Sequence, residues 1–175
     1  PADTKSFSTL EAQVCNLADE IAYNNHDLDD GLSSKLITEQ DLVANVTLWR
    51  EGKEAILNSH QNLDDNQLKY LINSYLISSQ VNDVFYTTTA TLKSLALQSV
   101  EEIKSNKIVS FSDEMKEKNL ELRKFLFKNL YQQEQIYRMN KKGQLIIHDL
   151  FNAFNQDKSL LPLAYQNKIS DTYTK

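Results

Sequence analysis

The chain has 175 residues, 41% of them hydrophobic, enough for one core, and a net charge of −5 that argues against general nucleic-acid binding. Three glycines and two prolines starve turns and favour helix. One cysteine, Cys15, excludes an intramolecular disulfide framework and suits a reducing compartment. With no secretory signal and no run of about 18 apolar residues, the chain reads as soluble and cytoplasmic. Cys15 itself reads as a buried structural thiol, the usual fate of a free cysteine. The charge is unevenly held: residues 1–100 carry six basic and fourteen acidic side chains, residues 101–175 thirteen and ten.

In chain order, residues 1–7 show no periodicity and read as a linker or a cut loop. A capping box of Ser8 and Glu11 opens a helix that Gly31 would stop. Thr38 and Asp41 open a short helix, TEQDLVAN, followed by a weaker one over 45–59 whose Trp49 reads as a core or interface anchor. NLDDN, residues 62–66, is a turn with Asp64 or Asp65 as N-cap. The apolar spacing from Leu68 to Phe85 then predicts one long helix running to about Leu97, weakened locally by the threonines of Thr87–Thr91. Residues 98–105 read as a short amphipathic helix and KIVSF (107–111) as an extended link. Ser112 caps a helix reaching about Gln132, with Asp113 and Glu114 in its first turn. A last helix spans about 137–156, and Pro162 ends any continuation. The expected class is all-α.

The first helix holds the most specific pattern. On a wheel of about 100° per residue, Leu10, Val14, Leu17, Ile21 and Leu28 fall within about 60° and form an apolar stripe. Asp19, Tyr23, His26, Asp27 and Asp30 lie on the opposite side. No Lys or Arg occurs between Lys5 and Lys35, whereas six acids do. Such a face is either solvated or holds a cation together with a group that stacks on the aromatic ring.

The string LEAQVCNLADEIAYNNHDLDDGL resembles the C-terminal part of the bacterial deoxyguanosinetriphosphate triphosphohydrolases and their dGTPase-like relatives, HD-domain enzymes that cut a dNTP into a deoxynucleoside and tripolyphosphate. The family motif D-x3-Y-x3-D falls on Asp19, Tyr23 and Asp27. VSFSDEMKEKNLELRKFLFKNLYQ and YRMNKKGQLIIHDLFNAFNQDKSLLP are similar to its later helices, so the likeness covers most of residues 8–162, loosely over 45–80. It implies a helical HD-domain-like bundle, the C-terminal portion of a larger domain. It also implies Asp19 as the last protein ligand of a catalytic divalent metal, Mg²⁺ or Mn²⁺. Tyr23 would pack on the deoxyribose and Asp27 would take the sugar 3′-hydroxyl. The implied substrate is a dNTP, with dGTP favoured, and the implied assembly a homo-oligomer. A start at Pro rather than Met then reads as a piece of a longer protein.

The family's metal set runs His, His-Asp, Asp, and only Asp19 can be assigned to it. His26–Asp27 follows Asp19 instead of preceding it, His148–Asp149 reads as a helix-surface pair, and His60 has no partner in sequence. Arg138, Lys141 and Lys142 read as a solvated turn of helix. Triphosphate-binding cations are scarce near the motif. The expected whole is a triphosphohydrolase whose 175 residues here are inactive alone. The alternatives are a non-catalytic all-α interaction module and an HD-domain phosphohydrolase acting on another nucleotide.

Overall fold

Every element among the described residues is helical, and no strand occurs among them; the computed structural model describes residues 7–97, 99–104, 106–166 and 168. The expected linker therefore lies, apart from Phe7, outside the described residues. The chain divides into two units, the first ending at Tyr131 and the second starting at Gln132.

In the first unit, α1 runs Leu10–Ser33. Its N-cap is Thr9 rather than Ser8, the Thr9 hydroxyl accepting from the Ala12 amide at 3.4 Å. Gly31 does not stop it. The glycine is buried inside the last turn, where a Cβ would come within 2.8 Å of Ile37 Cδ1, so it serves close packing. Of the expected stripe, Ile21 and Leu28 are buried, while Leu10 and Leu17 are half-covered and Val14 is exposed. The covered seam is displaced towards Gln13, Asn24 and Gly31, none of which an apolar pattern registers.

Gln13 shows why. Its side-chain oxygen accepts from the Ile108 and Val109 amides at 2.9 and 3.1 Å, and its NH2 group donates to the Ser8 carbonyl at 2.9 Å. The extended link 107–111 is thereby laid along one flank of α1 with Ile108, Val109 and Phe111 buried. The buried Ile108 and Val109 amides are paired in this way, as burial requires. The other end of the link is held by Asp83, which accepts from the Ser112 amide and hydroxyl at 2.8 and 2.6 Å.

Helix α2, Glu39–Asn45, has the Thr38–Asp41 capping box anticipated from sequence. Helix α3, Thr47–Ser59, lacks a capping side chain of its own; Glu121 instead accepts from the Thr47 amide at 2.7 Å. Trp49 is wholly buried, as expected of a core anchor. Helix α4, Asp65–Leu95, is capped by Asp64 and passes through the threonine run unbroken, with the Thr89 and Thr91 hydroxyls donating back to the carbonyls of Phe85 and Thr87. Helix α5 is Val100–Lys104, and residues 98 and 105 of that expected segment lie outside the described residues. Helix α6, Asp113–Leu126, starts at the Ser112 cap and then widens into a π turn over Phe127–Tyr131. The core joins α1 to α4 and α6 through Leu28, Leu42, Trp49, Ile72, Leu76 and Leu122.

A ladder of buried amides crosses this core. Asn24 of α1 donates to Asn119 of α6 at 3.2 Å, Asn119 donates to Gln80 of α4 at 2.8 Å, and Gln80 donates to the Leu76 carbonyl at 3.0 Å. Each link occupies a donor that would otherwise be buried unpaired, so the ladder fixes how the three helices meet.

The second unit consists of α7, Glu134–Gln156, a 3-10 turn over Lys158–Leu160, and α8, Leu163–Gln166, which begins directly after Pro162. No residue of α7 is buried.

Candidate active-site cleft

The acidic face of α1 and the C-terminal end of α6 form opposite walls of an open cleft of about 630 Å³. Asp19, Tyr23 and Asn24 line it from α1. Arg123, Lys124, Phe127 and Tyr131 line it from α6 and the π turn. The amide ladder lies immediately beneath, through Asn24. A second cleft of about 610 Å³ continues from the first, sharing Asn16, Glu20, Leu120 and Arg123, and adds Lys107 and Lys116.

Of the three residues expected to act together, Asp19 and Tyr23 open directly onto the cleft. Asp27, one helical turn further, does not line it, but its carboxylate accepts a hydrogen bond from the Tyr131 hydroxyl. The Tyr131 ring lies 6.5 Å from that of Tyr23, tilted by 30°. Tyr23, Tyr131 and Asp27 are thus one connected group, an aromatic edge ending in an acceptor. Burial first, and then the nearby Asp30, push the Asp27 carboxyl above the usual carboxylate value, while His26 pulls it down.

The wheel placed His26 on the same face, but the structure separates them. His26 lines another recess with Asp29 and Lys69, on the side of α1 towards α4. The face spans about 100°, and that spread is enough to divide it between two surfaces. Cys15 is exposed rather than buried, since the link 107–111 covers the Gln13 flank instead. His148 and Asp149 stand 3.5 Å apart on an exposed surface of the second unit, and the His60 ring pairs with the hydroxyl of its neighbour Ser59.

The cations missing around the motif in sequence are supplied from about a hundred residues away in the chain. Arg123 reaches across to Glu20 at 3.2 Å, and Lys124 lies beside it on the cleft wall. The spacing Arg123, Phe127, Tyr131 is one residue every four, the signal that places them on a single helix face. An anionic group in the cleft would meet these cations; a planar or sugar-like group would meet the two tyrosines.

A metal centre is a different matter. Among the described residues, no group of three or more His, Cys, Asp or Glu side chains converges. Beside Asp19, the Glu20 carboxylate is taken up by Arg123. The residues present do not fit a divalent metal by themselves, because one carboxylate cannot satisfy the coordination such an ion demands.

Residues 109–175 match the family described as a phosphohydrolase-associated domain. The chain is also similar to deoxyguanosinetriphosphate triphosphohydrolase-like proteins. It is 40% identical to that of Geobacter sulfurreducens over 163 residues, 92% of this chain and 42% of the relative. The relative from Ralstonia pickettii is 41% identical over 166 residues, 91% of this chain and 41% of the relative. That of Nitrosomonas europaea is 34% identical over 165 residues, 94% of this chain and 44% of the relative. The chain therefore spans about two fifths of the length of the curated relatives it matches.

Proposed function

We infer from the chain's membership of the deoxyguanosinetriphosphate triphosphohydrolase-like family, to which it is similar over nine-tenths of its length, that it forms one wall of a nucleotide-hydrolysing site. The intact protein would be a cytoplasmic, homo-oligomeric hydrolase releasing deoxynucleoside and tripolyphosphate from a dNTP, dGTP by preference. The observation that carries this reading is the sharing of one cleft by Asp19, Tyr23 and Tyr131 with Arg123 and Lys124.

Each group has a physical task. Arg123 and Lys124 offer donors to phosphate oxygens; the planar guanidinium of Arg123 can bind two at once. Tyr23 and Tyr131 supply an apolar wall against which a deoxyribose packs. Asp27 accepts strongly from an alcohol, so it would take the sugar hydroxyl, in exchange for or beside that of Tyr131. Asp19 would give one ligand to Mg²⁺ or Mn²⁺, the remaining donors coming from chain outside these 175 residues. When bound, the ion would supply Lewis-acid activation. A binding-only helical module is the second reading, favoured by the lone carboxylate at Asp19.

The test is steady-state kinetics of the intact protein on the four dNTPs with Mg²⁺ and Mn²⁺. Asp19→Ala should lower kcat by about a hundredfold or more and reduce bound metal. Tyr23→Ala should mainly raise KM and blur the choice between deoxy- and ribonucleotides. Both variants should keep their helical circular dichroism, since both side chains lie outside the core. An Asp19→Ala protein that remains folded with near wild-type kcat would refute the assignment. Turnover of a nucleotide other than a dNTP would shift the reading to another phosphohydrolase.

A further inference from the structure

The groove between α1 and α6 does not end at the nucleotide cleft. The second cleft continues from it, and Glu20 and Arg123, which both clefts share, meet at 3.2 Å as a bar across the border. On the near side lie Asp19, Tyr23 and Tyr131; on the far side lie Lys107 and Lys116.

Charge and direction together define what the far cleft takes. Among the described residues that line it, Lys107, Lys116 and Arg123 are cations and Glu20 is the one acid, already engaged by Arg123. In a chain of net charge −5 this is a local reversal of sign, and a cleft lined by one sign concentrates ions of the other. Lys116 pairs with Asp113 at 2.8 Å, yet Lys116 and Arg123 keep 52% and 57% of their side-chain surface exposed. Exposed pairs of this kind are weak, so a multiply charged anion can draw both cations from their carboxylates. Lys107 is placed by its neighbours: the Ile108 and Val109 amides are clamped on the buried Gln13 side chain.

Direction follows from the order along α1, which runs back from Asp27 through Tyr23 and Asp19 to Asn16 and Gln13, the last two lining the far cleft. At the Asp27 end stands the hydrogen bond from Tyr131. A nucleotide with its sugar on Tyr23 and its first phosphate beside Asp19 therefore sends its remaining phosphates towards Arg123 and the far cleft. On α6, Lys116 and Arg123 are seven residues apart, two turns or about 10 Å along one face, a gap that two long side chains close by converging on one anion.

We propose that the far cleft seats the terminal phosphates of a nucleoside triphosphate, with Lys107 and Lys116 distinguishing a triphosphate from shorter phosphates. The place of the sugar rests on the nucleotide reading above, whereas the affinity for polyphosphate rests on the cations alone.

Isothermal titration of the 175-residue chain with inorganic phosphate, pyrophosphate and tripolyphosphate probes the cleft without a nucleoside. Affinity should rise along that series. Lys107→Ala combined with Lys116→Ala should weaken tripolyphosphate binding by at least about fivefold, with circular dichroism unchanged. Lys69→Ala combined with Lys93→Ala removes the same charge away from both clefts and should change it by less than about twofold. In the intact protein, the Lys107 and Lys116 double variant should bind dGTP at least about fivefold more weakly and dGMP less than about twofold more weakly. Tripolyphosphate binding that depends on the two lysines upholds the cleft even where dGTP is not hydrolysed, an outcome that overturns only the nucleotide reading. Tripolyphosphate held no more tightly than phosphate overturns the proposal. So do equal losses in the two double variants, or an equal loss for dGMP and dGTP.

Discussion

Asp27 is the residue where charge and burial conflict. Its carboxyl holds its proton more tightly in the folded chain than the ordinary value of 3.8, through burial and then Asp30. The native state therefore binds more protons than the unfolded one between that value and the raised one. Stability falls as pH rises through this window, and the cost is complete above it. Asp27→Asn keeps an acceptor for Tyr131 and removes the charge. Its melting temperature should exceed that of the wild type at neutral pH, and the gap should close as pH falls towards 3.8. A gap independent of pH would mean that the substitution acts through packing instead. Tyr131→Phe works in the opposite sense. It removes the hydroxyl that favours the ionised carboxylate while leaving the ring beside Tyr23, so the Asp27 titration followed by carbon NMR should move further upward. That Asp19, Tyr23 and Asp27 share one side of a single helix was legible because four-residue spacing is local geometry, whereas the roles expected of them came from the family likeness alone. Arg123, Lys124 and Tyr131 were not legible, because only tertiary packing carries α6 to face α1, and the π turn shifts the direction in which Tyr131 faces.

At the scale of elements, helix boundaries were legible where the cap is local. Thr38, Asp64 and Ser112 hold the helices they were expected to open. They were illegible where the cap comes from elsewhere, as with Glu121 on α3, or where a glycine serves packing rather than termination. Gly52 is such a case in α3. A Cβ there would meet Leu76 Cδ1 at 2.8 Å and Tyr75 Cδ1 at 3.1 Å, and Leu76 is wholly buried and has little room to move. Helix propensity alone would credit Gly52→Ala with up to about 1 kcal/mol. Overpacking a tight core contact costs about 1–3 kcal/mol, so the sum should be destabilising by about 1 kcal/mol. Urea denaturation measures it, and a variant more stable than wild type would show that α3 and α4 can separate without cost.

At the scale of the whole molecule, the uneven charge of the sequence acquires a meaning within the first unit. The acidic α1 and the basic end of α6 face each other across the cleft, and Glu20–Arg123 spans the gap between them. That arrangement suits holding an anion but not cleaving one, because hydrolysis of a phosphate ester needs an activated nucleophile or a stabilised leaving group. Among the described residues, the histidines lie off the cleft and no three metal-ligating side chains converge. Binding and turnover should therefore separate in the 175-residue chain. It should release no tripolyphosphate from dGTP with either Mg²⁺ or Mn²⁺, even where dGTP is held by Arg123 and Lys124. Adding the divalent ion should leave its melting temperature unchanged, because a ligand that stabilises must bind the folded state tightly and a lone carboxylate cannot. The measurement is product chromatography alongside thermal melts with and without the ion. Tripolyphosphate formed by the purified chain at the rate of an intact relative would mean that these residues hold a complete catalytic set, and that the cleft between α1 and α6 is not where it lies.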